Sequence, residues 1–278
     1  MAPSIPSLAL AAILLSALLH AAWNALLKDA SDKGAAAALL GLVSVGVAAT
    51  AGLWVGRLDF AATAWEWVLP CAGIEVIYFA TLALALERLP LGTAYGLSRG
   101  LGLLVVVPLS VVLFAEAFDP ADVLGVLLLV AGLFALVRGA PSRSGVALAA
   151  VCGLAIALYP LLYKQALGSG IDPYSLFVAS VGLSIPGQVA MLGRGAVTRL
   201  RTTARADGGR IVLGGVLCAS SFLIFLTLLE GHGAGRLTAL RNASVVFATL
   251  LSMLQGRERT RRDLLCAVGV SVGCVLVA

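Results

Sequence analysis

The chain of 278 residues carries a net charge of +5 and is far more apolar than a soluble protein. Hydrophobic residues make up 60% of it and charged residues 12%, and its mean hydropathy is +1.04. Soluble domains carry roughly 25% charged residues. The composition therefore excludes a soluble globular domain and predicts an all-α integral membrane protein, because helices satisfy every backbone polar group inside a bilayer.

Polar breaks divide the chain into ten apolar stretches, most of them near the roughly 20 residues that cross a bilayer core. We predict transmembrane helices at about residues 5–27, 35–56, 67–88, 91–114, 121–138, 145–164, 173–193, 210–230, 234–255 and 263–278. The longest break, 194–209, is rich in arginine and is predicted to be a loop. The first stretch lacks the basic flank of a signal peptide and is expected to remain a helix. The breaks leave no room for a soluble domain.

Lysine and arginine residues concentrate in the breaks that follow the first, third, fifth, seventh and ninth spans. The other breaks hold only Arg57, Lys164 and Arg236. Such asymmetry predicts that the basic breaks are cytoplasmic. The chain would then be a multi-pass protein of a bacterial-type inner membrane, with both of its ends on the periplasmic side. Juxtamembrane charge also explains the basic stretch 256–263, so no nucleic-acid partner is expected.

An internal repeat relates the two halves of the sequence. Arg99 and Glu116 are 17 residues apart, as are Arg241 and Glu258, and both pairs share an offset of 142 residues. Trp23 and Lys28 are mirrored by Tyr159 and Lys164 at an offset of 136. Halves of five spans each, 1–139 and 140–278, would have opposite orientations because five is odd. Inverted repeats are typical of secondary transporters, whose substrate site lies where the halves meet.

The stretch HAAWNALLK at 20–28, the paired five-helix halves and the acidic residues Glu116 and Glu258 together resemble one known family. They are similar to the EamA-like, ten-helix branch of the drug/metabolite transporter superfamily. This resemblance implies two inverted five-helix repeats around a central cavity. It also implies export or exchange of small metabolites.

Three ionisable residues lie deep in predicted spans, namely Glu75, Arg99 and Arg241. A charge at the centre of a span costs about 2.5–3.5 kcal/mol on insertion scales, so these side chains are expected to face the interior. Two interpretations of Glu75 are open. It could form an ion pair with Arg99, or it could be a proton or cation site, with Tyr78 on the same helical face as a hydrogen-bond donor.

The two arginines occupy equivalent positions in the repeat. Convergence of both on the cavity would make an anion site, since guanidinium binds carboxylate in bidentate fashion. Tyr95 lies one turn from Arg99, and Thr238 and Asn242 lie near Arg241, so we predict that all five residues bind substrate or a coupling ion. The alternative is that the arginines are held by backbone carbonyls or by Glu75.

A polar stripe near the end of the first span contains His20, Trp23 and Asn24. Trp23 and Lys28 could be interfacial anchors, an aromatic ring and a snorkelling amine. His20 and Asn24 lie deeper and are predicted to face the bundle near its cytoplasmic mouth. We predict that His20, Trp23 and Asn24, with Tyr159 as the counterpart of Trp23, form a gate.

These features favour a secondary transporter of small organic metabolites, in which protons are a possible coupling ion. No Walker A motif is present in the sequence, so ATP coupling within this chain is excluded. A channel or scaffold is the main alternative, and a lipid-modifying enzyme is disfavoured by the shortage of paired acids and histidines. We expect no enzymatic activity, no cofactor and no metal site, and either a monomer or a homodimer. The substrate is left open between anionic or amino-acid-like compounds and cationic ones.

Overall fold

A computed structural model describes residues 5–60, 65–139, 141–254 and 261–278, and these residues contain helices but no strand. The helices are α1 (Ser7–Lys28), α2 (Lys33–Trp54), α3 (Trp65–Arg88), α4 (Leu91–Phe114), α5 (Pro120–Phe134), α6 (Arg143–Gly168), α7 (Pro173–Met191), α8 (Ala196–Gly231), α9 (Ala234–Arg241), α10 (Ser244–Leu254) and α11 (Arg261–Val277). The predicted all-α membrane fold is confirmed at this level. Glu258 and most of the basic stretch 256–263 lie outside the described residues.

Seven of the helices, α1 to α4 and α6 to α8, are long and apolar enough to cross a membrane. Helix α5 is apolar but shorter, as is the part of α11 from Asp263 to Val277. The ninth predicted span, 234–255, is two helices in the structure, because regular α-helix stops after Arg241 and resumes at Ser244. Helix α4, its counterpart in the predicted repeat, is continuous over the corresponding length.

The prediction of a loop at 194–209 is wrong. Helix α8 begins at Ala196 and runs through this segment, with one non-helical residue, Asp207, at φ −120° and ψ 16°. Alanine and arginine are good helix formers, and Thr203 gives the segment a buried position. A search for apolar periodicity missed this helix because only Thr203 and Asp207 are buried between residues 196 and 209, so the segment has no apolar face to detect.

Helix packing joins the two halves of the chain in matching pairs. Each contact between helices of different halves has a counterpart in the predicted repeat. The contact of α4 with α6 corresponds to that of α1 with α9 and α10, and the contact of α3 with α6 corresponds to that of α1 with α8. The contact of α2 with α8 corresponds to that of α3 with α7. Helix α4 also approaches α5 closely at Gly96, where an added Cβ atom would clash with the carbonyl oxygen of Leu133. The glycines of α4 therefore permit close helix contact.

Lys28 and Lys164 hold the C-terminal ends of two other helices. The Lys28 Nζ donates to the carbonyl oxygens of Leu86 and Leu89 at the end of α3. The Lys164 Nζ donates at 2.7 Å to the carbonyl oxygen of Leu229 at the end of α8, and also to those of the residues that follow. An ammonium group at this position satisfies carbonyls that have no intrahelical partner. The lysines bind protein carbonyls, and Lys28 is not simply a snorkelling anchor.

Similar ion pairs connect helices at the two ends of the bundle. At one end Asp32, the N-cap of α2, accepts from Arg199 Nε and Nη2 at 2.6 and 2.8 Å. At the other, Asp172, the N-cap of α7, accepts from Arg57 Nε at 2.6 Å. The backbone N–H of Ile5 donates to the Ala278 carbonyl at 3.1 Å, so these two residues lie at the same end of the bundle.

Candidate functional site

Arg241 is the most completely held side chain in the centre of the bundle. It is 2% exposed and is the last residue of α9, at the break in the ninth span. Its Nη1 donates to the Tyr159 hydroxyl at 2.8 Å, and its Nη2 donates to Ser221 Oγ at 3.0 Å and lies 3.2 Å from His20 Nδ1. Helices α1, α6 and α8 therefore all contact this guanidinium group.

Aromatic rings cover the Arg241 guanidinium group. Its central carbon lies 4.5 Å from the Phe225 ring centroid and 5.5 Å from that of Phe222, within the range of cation–π attraction. Tyr159 packs against both rings and also against Tyr78, with centroids about 6 Å apart. Arg241 therefore lies in an aromatic compartment formed by α3, α6 and α8.

Arg99, the counterpart of Arg241 in the predicted repeat, is held much less firmly. It is 7% exposed, lies over the Tyr95 ring at 5.0 Å and makes one long hydrogen bond of 3.5 Å to Asn242 Oδ1. The Asn242 amide nitrogen donates in turn to the Thr238 carbonyl at 3.0 Å. Within the described residues neither Arg99 nor Arg241 forms an ion pair with a carboxylate. In the described part of the chain, neither guanidinium group therefore has a carboxylate in direct contact.

Glu75 does not form the ion pair with Arg99 that one interpretation of the sequence favoured. Its side chain is fully buried, and neither carboxylate oxygen has a hydrogen bond of ordinary geometry among the described residues, although the Tyr163 side chain lies close enough to act on it. The predicted hydrogen bond from Tyr78 is likewise absent there. Arg241 is close enough to act on Glu75 through space. Axial spacing alone suggested that Glu75 and Arg99 could meet, but α3 and α4 make few contacts with each other and both pack mainly against α6.

The predicted gate residue His20 lies against Arg241. Guanidinium can only donate, so this contact requires His20 Nδ1 to accept, which places the proton of a neutral ring on Nε2. That Nε2 is buried and has no partner among the described residues. His20 therefore lies beside the predicted binding residues rather than apart from them, and its free N–H is available to a ligand.

Trp23 and Asn24 are also buried, at 2% and 1% exposure. The Trp23 ring stands edge-on to His20, with centroids 5.0 Å apart, and lies near Phe79. The alternative that Trp23 is an interfacial anchor exposed to lipid is therefore wrong. Asn24 donates to the His20 carbonyl at 2.8 Å, while its Oδ1 has no partner in the described part of the chain.

Unpartnered polar atoms are concentrated at the residues singled out from the sequence. The structure gives no hydrogen-bond partner, among described residues, to these buried atoms: His20 Nε2, Trp23 Nε1, Asn24 Oδ1, both Glu75 oxygens, Tyr95 Oη, Arg99 Nε, Gln188 Oε1, Thr238 Oγ1, Arg241 Nε and Ser244 Oγ. Leaving a buried polar group unpaired costs about 1–3 kcal/mol. Such a concentration is expected where a polar ligand or water supplies the missing partners.

Sequence reasoning missed several residues of this region. Ser221 holds Arg241 and exchanges hydrogen bonds of 2.7 and 2.8 Å with Ser16 across α1 and α8. Phe222 and Phe225 supply the rings over Arg241. Serine and phenylalanine are ordinary in an apolar helix, so no pattern distinguished these three. Ser221 and Phe222 are adjacent on α8 and Phe225 lies one turn further on, so their approach to Arg241 depends on the rotation of α8, which the sequence does not give.

Glu116 has a defined place at one end of the molecule. Its carboxylate accepts from the backbone N–H groups of Gly235 and Arg236, both at 2.9 Å, at the N-terminus of α9. The side chain of Arg236 forms a buried ion pair of 2.5 Å with Asp122. A carboxylate is stabilising at a helix N-terminus. The loop after α4 is thereby fixed to the helix that ends at Arg241.

Comparison with known proteins supports the class of protein and the family resemblance. Residues 143–278 match the EamA-like transporter family, and residues 42–129 match the Small Multidrug Resistance protein family. These matches and the all-helical architecture support a membrane transporter rather than an enzyme. The predicted resemblance to the EamA-like branch of the drug/metabolite transporter superfamily is confirmed.

Two individual proteins are similar to this chain over very different lengths. A stretch of 69 residues is 32% identical to a multidrug transporter of Pseudomonas aeruginosa and covers 25% of this chain. It spans 63% of the length of that relative. A protein of known crystal structure superposes with a TM-score of 0.73 at 20% identity, over 97% of this chain and 95% of its own. At 20% identity, this structural similarity is evidence for the fold alone.

Proposed function

We propose that the protein is a secondary transporter, an exporter or exchanger, of small anionic or amino-acid-like metabolites. The observation that carries the proposal is the pair of buried guanidinium groups, Arg99 and Arg241, which have no carboxylate partner among the described residues. Burying an uncompensated charge is costly. An incoming carboxylate would remove this cost and would gain charge-assisted hydrogen bonds of the stronger class.

The arrangement suits alternating access between two inverted halves. Matching helix contacts, the equivalent roles of Lys28 and Lys164, and the ion pairs at the two ends all support an inverted repeat with units 1–139 and 140–278. In such a molecule the two ends open in turn around a central site. The broken ninth span adds support, since discontinuous helices are common at transporter substrate sites.

Sidedness and coupling are part of the same proposal. The distribution of basic residues supports an inner-membrane protein with Ile5 and Ala278 on the periplasmic side. Glu75, buried and unpaired near Arg241, is the best candidate for a proton site. His20, Trp23, Asn24 and Tyr159 would then surround the substrate and restrict its passage toward the Lys28 end.

A cationic substrate is the second candidate, favoured by a different observation. The unpaired Glu75 carboxylate lies in the same region as the rings of Tyr78, Tyr159 and Phe222. Carboxylates and aromatic faces both attract organic cations. The relative from Pseudomonas aeruginosa is named a multidrug transporter. This candidate predicts that Glu75→Gln, rather than Arg241→Ala, abolishes substrate binding.

Transport into proteoliposomes tests both candidates. The purified protein would be offered a panel of labelled amino acids, organic anions and organic cations, with and without a pH gradient. We expect uptake of an anion or zwitterion that is lost in Arg241→Ala. Uptake confined to cations, with Arg241→Ala unaffected, would reject the anion site in favour of the second candidate. A panel without any carrier-mediated uptake would contradict transport of these compound classes.

A further inference from the structure

Helix α8 is longer than a membrane span requires. Its 36 residues extend over about 54 Å at about 1.5 Å per residue, whereas the hydrocarbon core of a bilayer is about 30 Å thick. The apolar part of the helix follows Asp207, the residue at which the helix departs from regular geometry. Residues 196–206 precede that part and contain three arginines. These residues, which we call the arginine segment, therefore lie outside the core of the membrane.

One face of the arginine segment is bound to the bundle. Arg199 forms its ion pair with Asp32 near the start of the segment. Asp207, which directly follows the segment, accepts at 2.9 and 2.7 Å from the backbone N–H and the hydroxyl of Ser31. Thr203, midway between Arg199 and Asp207, is 1% exposed. The segment therefore lies against the connection between α1 and α2 and does not project away from the bundle.

The opposite face of the arginine segment carries exposed arginines. Val197, Arg201 and Arg205 recur every four residues, two positions out of step with the buried face, and so point away from it on a helix of 3.6 residues per turn. Arg201 and Arg205 are exposed, as is Arg194 just before the helix. None of these three arginines forms an ion pair with a residue that the structure describes. This face therefore presents positive charge that no described carboxylate contacts.

Apolar side chains border the exposed arginines. Val197 is 60% exposed, Leu200 is half-buried and Ala204 is exposed, and all three lie on one side of the segment. A helix that lies at a membrane interface combines these features, because its apolar residues reach the boundary of the acyl chains while its basic residues lie among the headgroups. Guanidinium groups bind phosphate oxygens through charge-assisted hydrogen bonds. The combination fits an anionic lipid rather than a soluble anion, which would use the charge alone.

We propose that the outer face of the arginine segment binds anionic phospholipids of the adjacent leaflet, through Arg201 and Arg205 with Val197 beside them. The inner face of the same segment holds the connection between α1 and α2, at the end of the bundle where Lys28 lies. Bound lipid would therefore attach this end of the molecule to the membrane surface. The central arginines do not take part, so lipid binding does not depend on which compound the protein transports.

Lipid titrations of the purified protein in a neutral detergent, with bound lipid counted by native mass spectrometry, test the proposal. Phosphatidylglycerol and phosphatidylcholine with identical acyl chains differ in headgroup charge, and glycerol phosphate supplies the anionic group without the chains. We expect phosphatidylglycerol to bind about ten-fold more tightly than either of the other two compounds. Equal binding of the two lipids would overturn the proposal. Glycerol phosphate that binds as tightly as phosphatidylglycerol would indicate a site for free anions and would also overturn it.

Matched charge removals locate the binding surface. The double variant Arg201→Gln/Arg205→Gln should reduce the preference for phosphatidylglycerol at least about five-fold, the contribution expected of a single basic residue near anionic headgroups. Glutamine is also a good helix former, so the segment should stay helical. The control Arg88→Gln/Arg143→Gln removes the same charge from two other exposed arginines at the end of the bundle where Lys28 lies, and should change the preference less than about two-fold.

Two results of this comparison would overturn the proposal. Equal losses in the two double variants would show that the preference follows net charge alone. An unchanged preference in Arg201→Gln/Arg205→Gln would assign the lipid to another part of the protein and leave the arginine face to a soluble acidic partner.

Discussion

Lys28 of the first half and Lys164 of the second half have the same role at opposite ends of the molecule, each donating to the last carbonyls of a helix from its own half. The two arginines of the centre, Arg99 and Arg241, also occupy equivalent positions but have different surroundings. Arg241 contacts three polar side chains and two rings, whereas Arg99 has one ring and one long hydrogen bond. The lysine contacts at the helix ends are matched between the halves, and the surroundings of the two central arginines are not.

This difference has a physical consequence for the proposed transporter. A side chain held by several hydrogen bonds is preorganised, so a ligand that binds it loses little entropy in ordering it. A loosely held side chain can adjust its position as the molecule opens to either side. We infer that Arg241 fixes the position of the bound substrate. Arg99 then adjusts its own position to stay in contact with the substrate as the molecule opens to either side.

Removing each arginine gives the largest effects and tests the comparison directly. Arg241→Ala should reduce transport at least 100-fold, because hydrogen bonds to charged groups contribute about 1.5–3 kcal/mol each and several are lost. Arg99→Ala should reduce it about ten-fold. Initial rates in proteoliposomes at equal protein density measure both. Greater loss in Arg99→Ala than in Arg241→Ala would reverse the assigned roles.

Removing the hydroxyl next to each arginine gives a smaller, sharper contrast. Tyr159→Phe deletes the 2.8 Å acceptor of Arg241 and should slow transport roughly ten-fold, since about 1.4 kcal/mol corresponds to a factor of ten. Tyr95→Phe deletes a hydroxyl that forms no hydrogen bond of ordinary geometry in the described structure but keeps the ring under Arg99. It should change the rate less than two-fold. Similar losses in both variants would show that the two arginines are held alike.

The lysines test the matched part of the comparison. Lys28→Met and Lys164→Met keep most of the apolar length but remove the hydrogen bonds to the helix ends. Each should lower the free energy of unfolding by about 1–2 kcal/mol, the range expected for a cation at a helix C-terminus with charge-assisted bonds. Thermal unfolding in detergent is the measurement. A large shift for one variant and none for the other would contradict equivalent roles.

Replacing Asp32 is expected to have the smallest effect on the free energy of unfolding, and this effect should depend on pH. Its hydrogen bond to Arg199 holds the pKa of the Asp32 carboxyl below its usual value. Because the folded-state pKa is depressed, the pair stabilises the protein above the unfolded pKa of about 3.9. That contribution is lost as the pH falls through the lowered value.

The variant Asp32→Asn isolates this contribution, because asparagine is also a good N-cap. It should unfold less than 1 kcal/mol more easily than the wild type at neutral pH, as expected for a partly exposed ion pair. The difference between the two proteins should shrink as the pH falls through the lowered pKa of Asp32 and vanish below it. A difference that is independent of pH would show that the pairing with Arg199 contributes nothing.

Hydropathy predicted the helices well because lipid requires long apolar runs, and α1 to α4 begin and end near the predicted positions. The break after Arg241 could not be predicted, since neither Asn242 nor Ala243 is a helix breaker of the strength of proline. The partnership of Ser221 with Arg241 joins residues on two helices, and apolar composition carries no information on helix rotation. The sequence also could not show that α3 and α4, although consecutive, make few contacts with each other, so it could not decide whether Glu75 meets Arg99.

The central claim, that Arg241 receives the negative group of the substrate, is tested most directly by one pair of compounds. A carboxylate substrate found in the transport panel would be compared with its carboxamide, in the wild type and in Arg241→Ala. We predict that the wild type transports the carboxylate at least ten-fold faster than the amide and that Arg241→Ala transports both at the same low rate. Equal transport of both compounds by the wild type, or an undiminished preference for the carboxylate in Arg241→Ala, would contradict the claim.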